Sequence, residues 1–275
     1  MEEKKNNFLN IMDNKAALMF ALQCLDLTSL NGTDNDENII QLCEKAKKMY
    51  AKPAAVCVYP PFCSTAKKQL KHMDIKIACV AGGFPSGQLP IHLKINEVKY
   101  AISEGADEID MVISRGKFLA GNYSDVYDEI ATIKSICGNV ILKVILETGE
   151  LETTDNIFNA SEIAIKAGAD FIKTSTGKSS VHATPESFKT MLLAIKKRYE
   201  NNGQIIGIKP AGGIKDIETA FIYINILYET LGEKWMNKKY FRIGASSLAD
   251  KIKDQLNFPL LRQYRLLMRP TYNKA

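Results

Sequence analysis

A lysine stands at the end of a short apolar stretch, within the run Gly168–Ser180, which reads GADFIKTSTGKSS. Residues 170–174, with the apolar Phe171 and Ile172, predict a short buried strand with Lys173 near its end, and Thr184-Pro185 predicts the start of the next helix. An ammonium group at the end of a buried strand is costly unless it is neutralised, paired or used in chemistry. The strand alone leaves open a lysine that simply reaches solvent through the polar loop.

An internal repeat supplies a carboxylate partner for this lysine. Residues 101–110 read AISEGADEID and match residues 164–173, AIKAGADFIK, so that Asp110 occupies the position of Lys173. By our count the two residues lie in strands four and six. Side chains in one layer of a parallel barrel come from alternate strands, so the two groups could meet across the lumen and exchange a proton. The alternative is a buried ion pair that only fixes strand register.

A second lysine, Lys209, ends the next apolar run in IIGIKPAGGI, residues 205–214. Two ammonium groups that face one lumen repel each other, so one of them should have a lowered pKa, as a Schiff-base amine requires. Lys143, in the fifth apolar run, is a third candidate, but its sequence neighbours indicate no paired role.

Glycine-containing turns follow three consecutive strands near the end of the chain. Glycines allow backbone N–H groups to approach an anion, and a helix N-terminus adds a favourable dipole. One such pair is more often only a turn, but three at successive strand ends predict a phosphate site, which barrels often place after strands seven and eight. The residues of this predicted site are Gly177, Lys178, Gly212, Gly213, Gly244, Ser246 and Ser247.

The elements that must position these residues repeat in one order: an apolar run, a polar turn, then an amphipathic segment. The predicted strands are residues 22–27, 54–59, 77–80, 108–113, 140–146, 170–174, 205–209 and 240–244. Eight such units predict an α/β chain that forms a single (β/α)8 TIM barrel, with its core at about 20–258. A polar, partly helical lead-in (residues 1–15) and a basic, irregular tail (residues 259–275) are expected outside the core. An open doubly wound sheet is the alternative, although no GxGxxG follows the first strand.

The composition limits the classes of partner and cofactor that we expect. The net charge is only +5, from 36 basic and 31 acidic residues that are scattered along the chain, so we expect no nucleic-acid partner. No apolar run is long enough for a membrane span, and the polar start lacks a signal-peptide core, which predicts a cytoplasmic protein. The six cysteines form no CxxC pair and the three histidines lack metal-ligand spacing, so we expect buried free thiols, no metal and no cofactor.

The motifs taken together resemble the 2-deoxyribose-5-phosphate aldolase family. The resemblance rests on FIKTSTGK, KPAGG, GADEID and the GASS that follows FRI, and also on LDLT (25–28), AAVCVYP (54–60) and LKVILETGEL (142–151). It runs in order from about Leu22 to Leu248 and touches every predicted strand.

The resemblance implies a metal-free class I aldolase that reversibly cleaves 2-deoxy-D-ribose 5-phosphate to D-glyceraldehyde 3-phosphate and acetaldehyde. It implies that Lys173 is the Schiff-base nucleophile, that Lys209 perturbs it, and that Asp110 shuttles protons through a water molecule. Asp26 and Cys57 would line the substrate site, and the glycine-containing turns would hold the phosphate.

The resemblance also implies a homo-oligomer, a dimer or larger. Some family members carry a catalytic tyrosine in a C-terminal tail; here Tyr272 and Tyr264 are the candidates, and neither is assigned a role. Two other functions stay open at this point: a transaldolase-like Schiff-base enzyme, and a barrel that binds sugar phosphate without catalysis.

Overall fold

The computed structural model describes the backbone of residues 13–267 and the side chains of residues 13–257. The eight strands of this region are β1 (Leu25–Thr28), β2 (Ala55–Val58), β3 (Lys76–Ala81), β4 (Glu108–Val112), β5 (Ile141–Ile145), β6 (Phe171–Lys173), β7 (Gly207–Lys209) and β8 (Ile243–Ala245). Its α-helices are α1 (Asn14–Gln23), α2 (Asp36–Lys48), α3 (Cys63–Gln69), α4 (Ile91–Ser103), α5 (Arg115–Leu119), α6 (Tyr123–Cys137), α7 (Thr154–Lys166), α8 (Pro185–Asn202), α9 (Ile217–Leu231) and α10 (Leu248–Leu267).

The strands form one parallel sheet that curls into a nearly closed barrel. They are paired in the order β7-β6-β5-β4-β3-β2-β1-β8. Between β7 and β8 the ring is completed by two parallel bridges, one from Ile208 to Phe241 and one from Ala211 to Gly244. The architecture is the predicted (β/α)8 barrel, with helices between successive strands, and the open doubly wound sheet is excluded.

The barrel forms because nearly every strand residue is buried and most are apolar, while the helices bury one side against the strands. Polar caps begin several helices. Thr184 caps α8 by accepting a hydrogen bond from the Ser187 N–H, with Pro185 at the first helical position, as the sequence predicts. The helices therefore start directly after the loops at the carboxyl ends of the strands, where sites on this fold lie.

The C-terminal segment differs from its expected form. Helix α10 continues to Leu267, so the tail predicted to be irregular from residue 259 is helical over its first part. Leucines recur there at helical spacing, and this pattern outweighs the single Pro259. Tyr272 lies outside the described residues, as does the side chain of Tyr264. Residues 1–12 of the predicted lead-in also lie outside them.

No helix among the described residues combines the length and the apolar character needed to cross a bilayer.

Candidate active site

The predicted catalytic side chains come from three strands and meet inside the barrel. Asp110 lies on β4, Lys173 ends β6 and Lys209 ends β7, and all three are almost completely buried. Lys173 and Lys209 are register partners on adjacent strands. The Nζ atoms of both lysines lie 2.7 Å from the same oxygen, Oδ2 of Asp110. The approach of Asp110 to Lys173 that the internal repeat predicts is therefore present.

Lys143 corrects one expectation, because it is paired after all. Its Nζ lies 2.7 Å from Oδ1 of Asp110, 2.6 Å from Oε2 of Glu108 and 3.5 Å from Oδ2 of Asp26. The reason is strand register, since Lys143 on β5 is the direct partner of Asp110 on β4. Its neighbours along the sequence could not indicate a contact that forms between strands.

Two further charged residues of the lumen, Glu108 and Arg242, were missed by the sequence analysis. Arg242 donates to Oδ1 of Asp26 at 2.8 Å and to both carboxylate oxygens of Glu108 at 2.7 and 3.0 Å. A signal for Glu108 existed. It stands two residues before Asp110 in one strand, so both side chains point to the same face. Arg242 stands within the FRIGASS motif, where only the glycine and the serines drew attention.

We call the seven residues Asp26, Glu108, Asp110, Lys143, Lys173, Lys209 and Arg242 the lumen cluster. Four cationic side chains face three carboxylates in it, and each of the seven is at most 4% exposed. A low dielectric makes any unbalanced charge expensive. The cluster is balanced when one lysine is neutral.

The lysine that most readily loses its proton is Lys173. Burial lowers the pKa of Lys173, and the positive charge of Lys209 acts in the same direction, although Asp110 opposes both. Burial also acts to lower the pKa of Lys209, but Asp110 and Asp26 outweigh it and raise the pKa. The two lysines contact Asp110 at equal distance, but Lys209 also lies 2.6 Å from Oδ2 of Asp26. This additional carboxylate explains why their pKa values move apart.

Asp110 stays ionised at neutral pH. Burial acts to raise its pKa, but the positive charges of Lys143, Lys173 and Lys209 outweigh that effect and hold the pKa well below its usual range. A carboxylate in this state can accept a proton from a group bound beside Lys173.

Asp26 and Cys57, the predicted substrate-site residues, lie on the adjacent strands β1 and β2. Asp26 is fully buried and held between Lys209 and Arg242. Burial raises the pKa of the Cys57 thiol, with Lys209 acting in the opposite direction. All six cysteines of the chain are free and buried, as predicted.

A cavity of about 470 Å³ opens above the cluster, and Lys173 belongs to its wall. Neither Asp26 nor Cys57 reaches that wall. The predicted phosphate residues all line the cavity: Gly177, Lys178, Gly212, Gly213, Gly244, Ser246 and Ser247. Other residues of the cavity wall were not predicted from the sequence, among them Thr28, Ser29, Asn31, His182 and Lys215.

Glycine is required at two of these turns. Gly177 and Gly212 both have φ +80°, a left-handed conformation that other residues adopt only with strain. Helix α10 begins at Leu248, directly after Ser247, so the cavity also faces a helix N-terminus, where anions are favoured.

A buried carboxylate holds the loop after β6 in place. Glu147 accepts hydrogen bonds from the backbone N–H of Thr176 at 3.2 Å and from Oγ of Ser179 at 3.0 Å, and it also accepts one from the Thr176 hydroxyl. Glu147 is 1% exposed and has φ +57°, a conformation rarely adopted by non-glycine residues. These contacts fix the loop that carries Gly177 and Lys178.

Metal binding finds no support in the side chains that the structure describes. No group of three or more histidine, cysteine, aspartate or glutamate side chains among residues 13–257 is arranged to hold a metal ion. The acidic side chains of the lumen cluster face ammonium and guanidinium groups.

Comparisons with known proteins agree with this geometry. The model of the DeoC/LacD family aldolases matches residues 20–223. Deoxyribose-phosphate aldolases from Bos taurus and from Homo sapiens are each 42% identical over 265 residues, which covers 90% of this chain and 83% of theirs.

Solved structures match as well. The aldolase QR15 is 30% identical with a TM-score of 0.73, and the match covers 88% of this chain and 98% of QR15. The deoxyribose phosphate aldolase from Aeropyrum pernix is 22% identical with a TM-score of 0.69, and the match covers 90% of this chain and 100% of that protein. At this identity the match supports the barrel fold alone.

Proposed function

Because the chain belongs to the DeoC/LacD family of aldolases, we propose that it is a class I aldolase that reversibly cleaves 2-deoxy-D-ribose 5-phosphate to D-glyceraldehyde 3-phosphate and acetaldehyde. One observation carries the assignment. Lys173, whose pKa is lowered, lies on the wall of a cavity that could hold a sugar phosphate, 2.7 Å from the ionised Asp110.

The reaction starts when the neutral amine of Lys173 attacks the C1 aldehyde of the open-chain sugar. The carbinolamine hydroxyl takes up a proton from solvent and leaves as water, which gives an iminium ion. Asp110, acting directly or through a water molecule, takes the proton of the C3 hydroxyl. The electrons of the C2–C3 bond move to the iminium, which becomes a neutral enamine, and D-glyceraldehyde 3-phosphate leaves. Protonation of the enamine at C2 and hydrolysis of the resulting iminium release acetaldehyde and restore Lys173.

The other members of the lumen cluster set the state of these two groups. Lys209 keeps its proton, lowers the pKa of Lys173 and shares Oδ2 of Asp110 with it. Lys143 fixes the second oxygen of Asp110. Asp26 holds Lys209 in position, and Cys57 borders the cluster from β2.

The glycine-containing turns hold the phosphate end of the substrate. Backbone N–H groups near Gly177, Gly212, Gly213 and Gly244, together with the hydroxyls of Ser246 and Ser247 and the ammonium of Lys178, suit a phosphate monoester. Binding energy from this remote group orients the aldehyde toward Lys173.

Borohydride trapping tests this proposal. The protein is incubated with 2-deoxyribose 5-phosphate and reduced, and the modified residue is mapped by mass spectrometry, with Lys173→Met as control. We expect one reduced adduct on Lys173 and none in the variant. An adduct on Lys209 or Lys143 would overturn the choice of nucleophile. Phosphate binding without adduct or turnover would overturn the aldolase and leave a non-catalytic barrel, while turnover of a different donor would favour a transaldolase-like enzyme.

Two broader expectations accompany the activity. We propose a homo-oligomer, most simply a dimer, which light scattering of the purified protein tests directly. We also propose a cytoplasmic location, because six free buried thiols suit a reducing compartment.

A further inference from the structure

The buried carboxylate of Glu147 has a cation beside it. Arg115, the first residue of α5, places its Nη1 atom 3.8 Å from Oε2 of Glu147. Among residues 13–257, no other cationic side chain lies within 4.0 Å of this carboxylate. A carboxylate taken out of water is costly unless a positive charge compensates it, and removing one partner of a buried ion pair leaves that cost unbalanced. Arg115 is therefore the cation on which the buried charge of Glu147 depends.

Contacts with two neighbouring loops hold the guanidinium of Arg115 in place. Its Nη1 donates a hydrogen bond to the Pro85 carbonyl, in the loop after β3, at 2.9 Å. Its Nε lies 2.6 Å from Oε2 of Glu150, in the turn after β5. The side chain of Arg115 is largely buried between these partners. Its charge is thus fixed in a position beside Glu147.

Glu147 passes this support on to the loop after β6. Its carboxylate accepts hydrogen bonds from the backbone N–H of Thr176 at 3.2 Å and from Oγ of Ser179 at 3.0 Å. The Thr176 hydroxyl, which also donates to Glu147, accepts in turn from the backbone N–H of Lys178 at 3.0 Å. Thr176, Gly177 and Lys178 all line the cavity. The shape of the cavity wall therefore depends on the place that this carboxylate keeps.

We propose that Arg115 is a positioning residue for the phosphate end of the substrate, because it compensates the charge of Glu147 and so keeps the loop with Gly177 and Lys178 in its binding form. The inference rests on the proposed function in one respect, the nature of the substrate. Arg115 does not itself line the cavity, so its effect reaches the phosphate through Glu147. Since the phosphate lies away from the reacting carbon, this effect belongs to binding and not to the chemical step.

Two variants separate charge compensation from general support of the fold. Arg115→Met leaves a buried carboxylate without its cation, and we expect it to raise KM for 2-deoxyribose 5-phosphate by about five- to tenfold, with kcat within about twofold. Its kcat/KM for unphosphorylated 2-deoxyribose should not change. Adding Glu147→Gln removes the charge that needs a cation but keeps an acceptor oxygen, so the double variant should recover most of the lost affinity.

The matched control is Arg198→Met, because Arg198 bonds Gln204 near the C-terminal end of α8, and this variant should leave every constant unchanged. An equal loss on both sugars, or a double variant that recovers nothing, would show that Arg115 only supports the fold. An unchanged KM in Arg115→Met would show that the loop does not need the cation. Each of these results overturns the proposal.

Calorimetric titration with inorganic phosphate makes the test independent of turnover. We expect Arg115→Met to weaken phosphate binding by about five- to tenfold, and the double variant to bind nearly as tightly as the unmodified protein. If the unmodified protein bound phosphate but cleaved no sugar, the proposed function would fail while this titration would still decide the role of Arg115. Equal affinities in Arg115→Met and the unmodified protein would overturn the role of Arg115 alone, and an unmodified protein that bound no phosphate would overturn both.

Discussion

Lys173 and Lys209 differ in one contact, and that contact separates their affinities for a proton. Each Nζ lies 2.7 Å from Oδ2 of Asp110, but Lys209 also has Asp26 at 2.6 Å. Two carboxylates therefore hold the proton on Lys209, while Lys173 shares one carboxylate with two other lysines. The division of roles that we propose, with Lys173 as nucleophile and Lys209 as permanent cation, follows from this asymmetry.

We expect Lys209→Met to slow catalysis by raising the pKa of Lys173. The variant removes a positive charge that lowers this pKa and frees Oδ2 of Asp110 for Lys173 alone. The amine is then protonated to a higher pH, so the acidic limb of the kcat/KM profile moves to higher pH. At neutral pH, kcat/KM should fall by about 10- to 100-fold and recover partly in alkaline buffer. A loss that is constant across pH would contradict this role, and borohydride trapping across the same pH range separates imine formation from later steps.

Some residues of the lumen cluster were predictable from the sequence and others were not. Asp110 and Lys173 follow from the internal repeat, because equal positions in alternate strands face one lumen. Lys143, Glu108 and Arg242 were missed as partners, because their contacts depend on register between strands that are distant in the chain. His182 was missed because its environment forms only when the loops after β6 and β7 meet.

Among the elements, the loop after β6 depends most on a single side chain from elsewhere. Glu147, which follows β5, accepts hydrogen bonds from a backbone N–H and from two hydroxyls of that loop, those of Thr176 and Ser179. Removing it leaves the buried N–H and hydroxyl of Thr176 without an acceptor and relaxes a backbone held at φ +57°.

We predict that Glu147→Ala raises KM for 2-deoxyribose 5-phosphate more than it lowers kcat, by about tenfold or more, because the phosphate loop loses its support. Glu147→Gln keeps an acceptor oxygen and should retain most of the affinity. Glu150→Gln is the matched control, since Glu150 is largely exposed and makes no contact with that loop among its described ion pairs. Steady-state kinetics of the three variants decide the matter. A fall in kcat at unchanged KM would assign Glu147 to the chemistry instead.

The order of the strands along the chain was predictable from the apolar runs, but the residues at which each strand ends were harder to predict. Residues 170–174 were predicted for the sixth strand, and the ladder covers only Phe171–Lys173. Thr174 is fully buried, but its hydroxyl bonds the backbone of Ala211 in the next loop. At the mouth of a barrel, residues stay buried beyond the last hydrogen-bonded pair of strand residues. A strand predicted from the sequence is therefore longer than the strand in the structure.

For the whole molecule, Arg242 links strands on opposite sides of the barrel. It stands just before β8, binds Asp26 on β1 and Glu108 on β4, and has its guanidinium 5.6 Å from the ring centroid of Phe171 on β6. The seam between β7 and β8 contains isolated bridges, and the backbone N–H of Arg242 donates across it to the Ile208 carbonyl at 3.0 Å.

We expect Arg242→Met to lower the free energy of unfolding by about 3–5 kcal/mol, because two buried carboxylates lose their partner. The loss should depend on pH. Burial acts to raise the pKa of Asp26, but Lys209, Lys143 and Arg242 outweigh it and depress the pKa below that of the unfolded chain, about 3.9. Ion pairing of Asp26 therefore stabilises the fold above that pH, and the stabilisation is lost as pH falls through the folded pKa.

Urea unfolding at several pH values measures the effect, and the deficit of Arg242→Met should be largest at neutral pH and shrink toward about pH 3. Lys238→Met is the control, because Lys238 pairs with the exposed Asp74 and should change stability little. A deficit that stays the same at every pH would mean that packing, and not charge, is the contribution of Arg242.

The balance of the lumen cluster has a consequence for the direction in which electrons move during the reaction. With Lys173 neutral, three cations face three carboxylates, and the resting site carries no excess charge. Formation of the iminium adds one positive charge to a water-poor interior, where it is poorly solvated. Cleavage of the C2–C3 bond discharges that nitrogen as the enamine forms. Asp110 takes up the hydroxyl proton in the same step, so the net charge of the cluster stays at +1 while the positive charge leaves the reacting nitrogen. The cluster becomes neutral again only when hydrolysis frees Lys173 and the proton leaves the site.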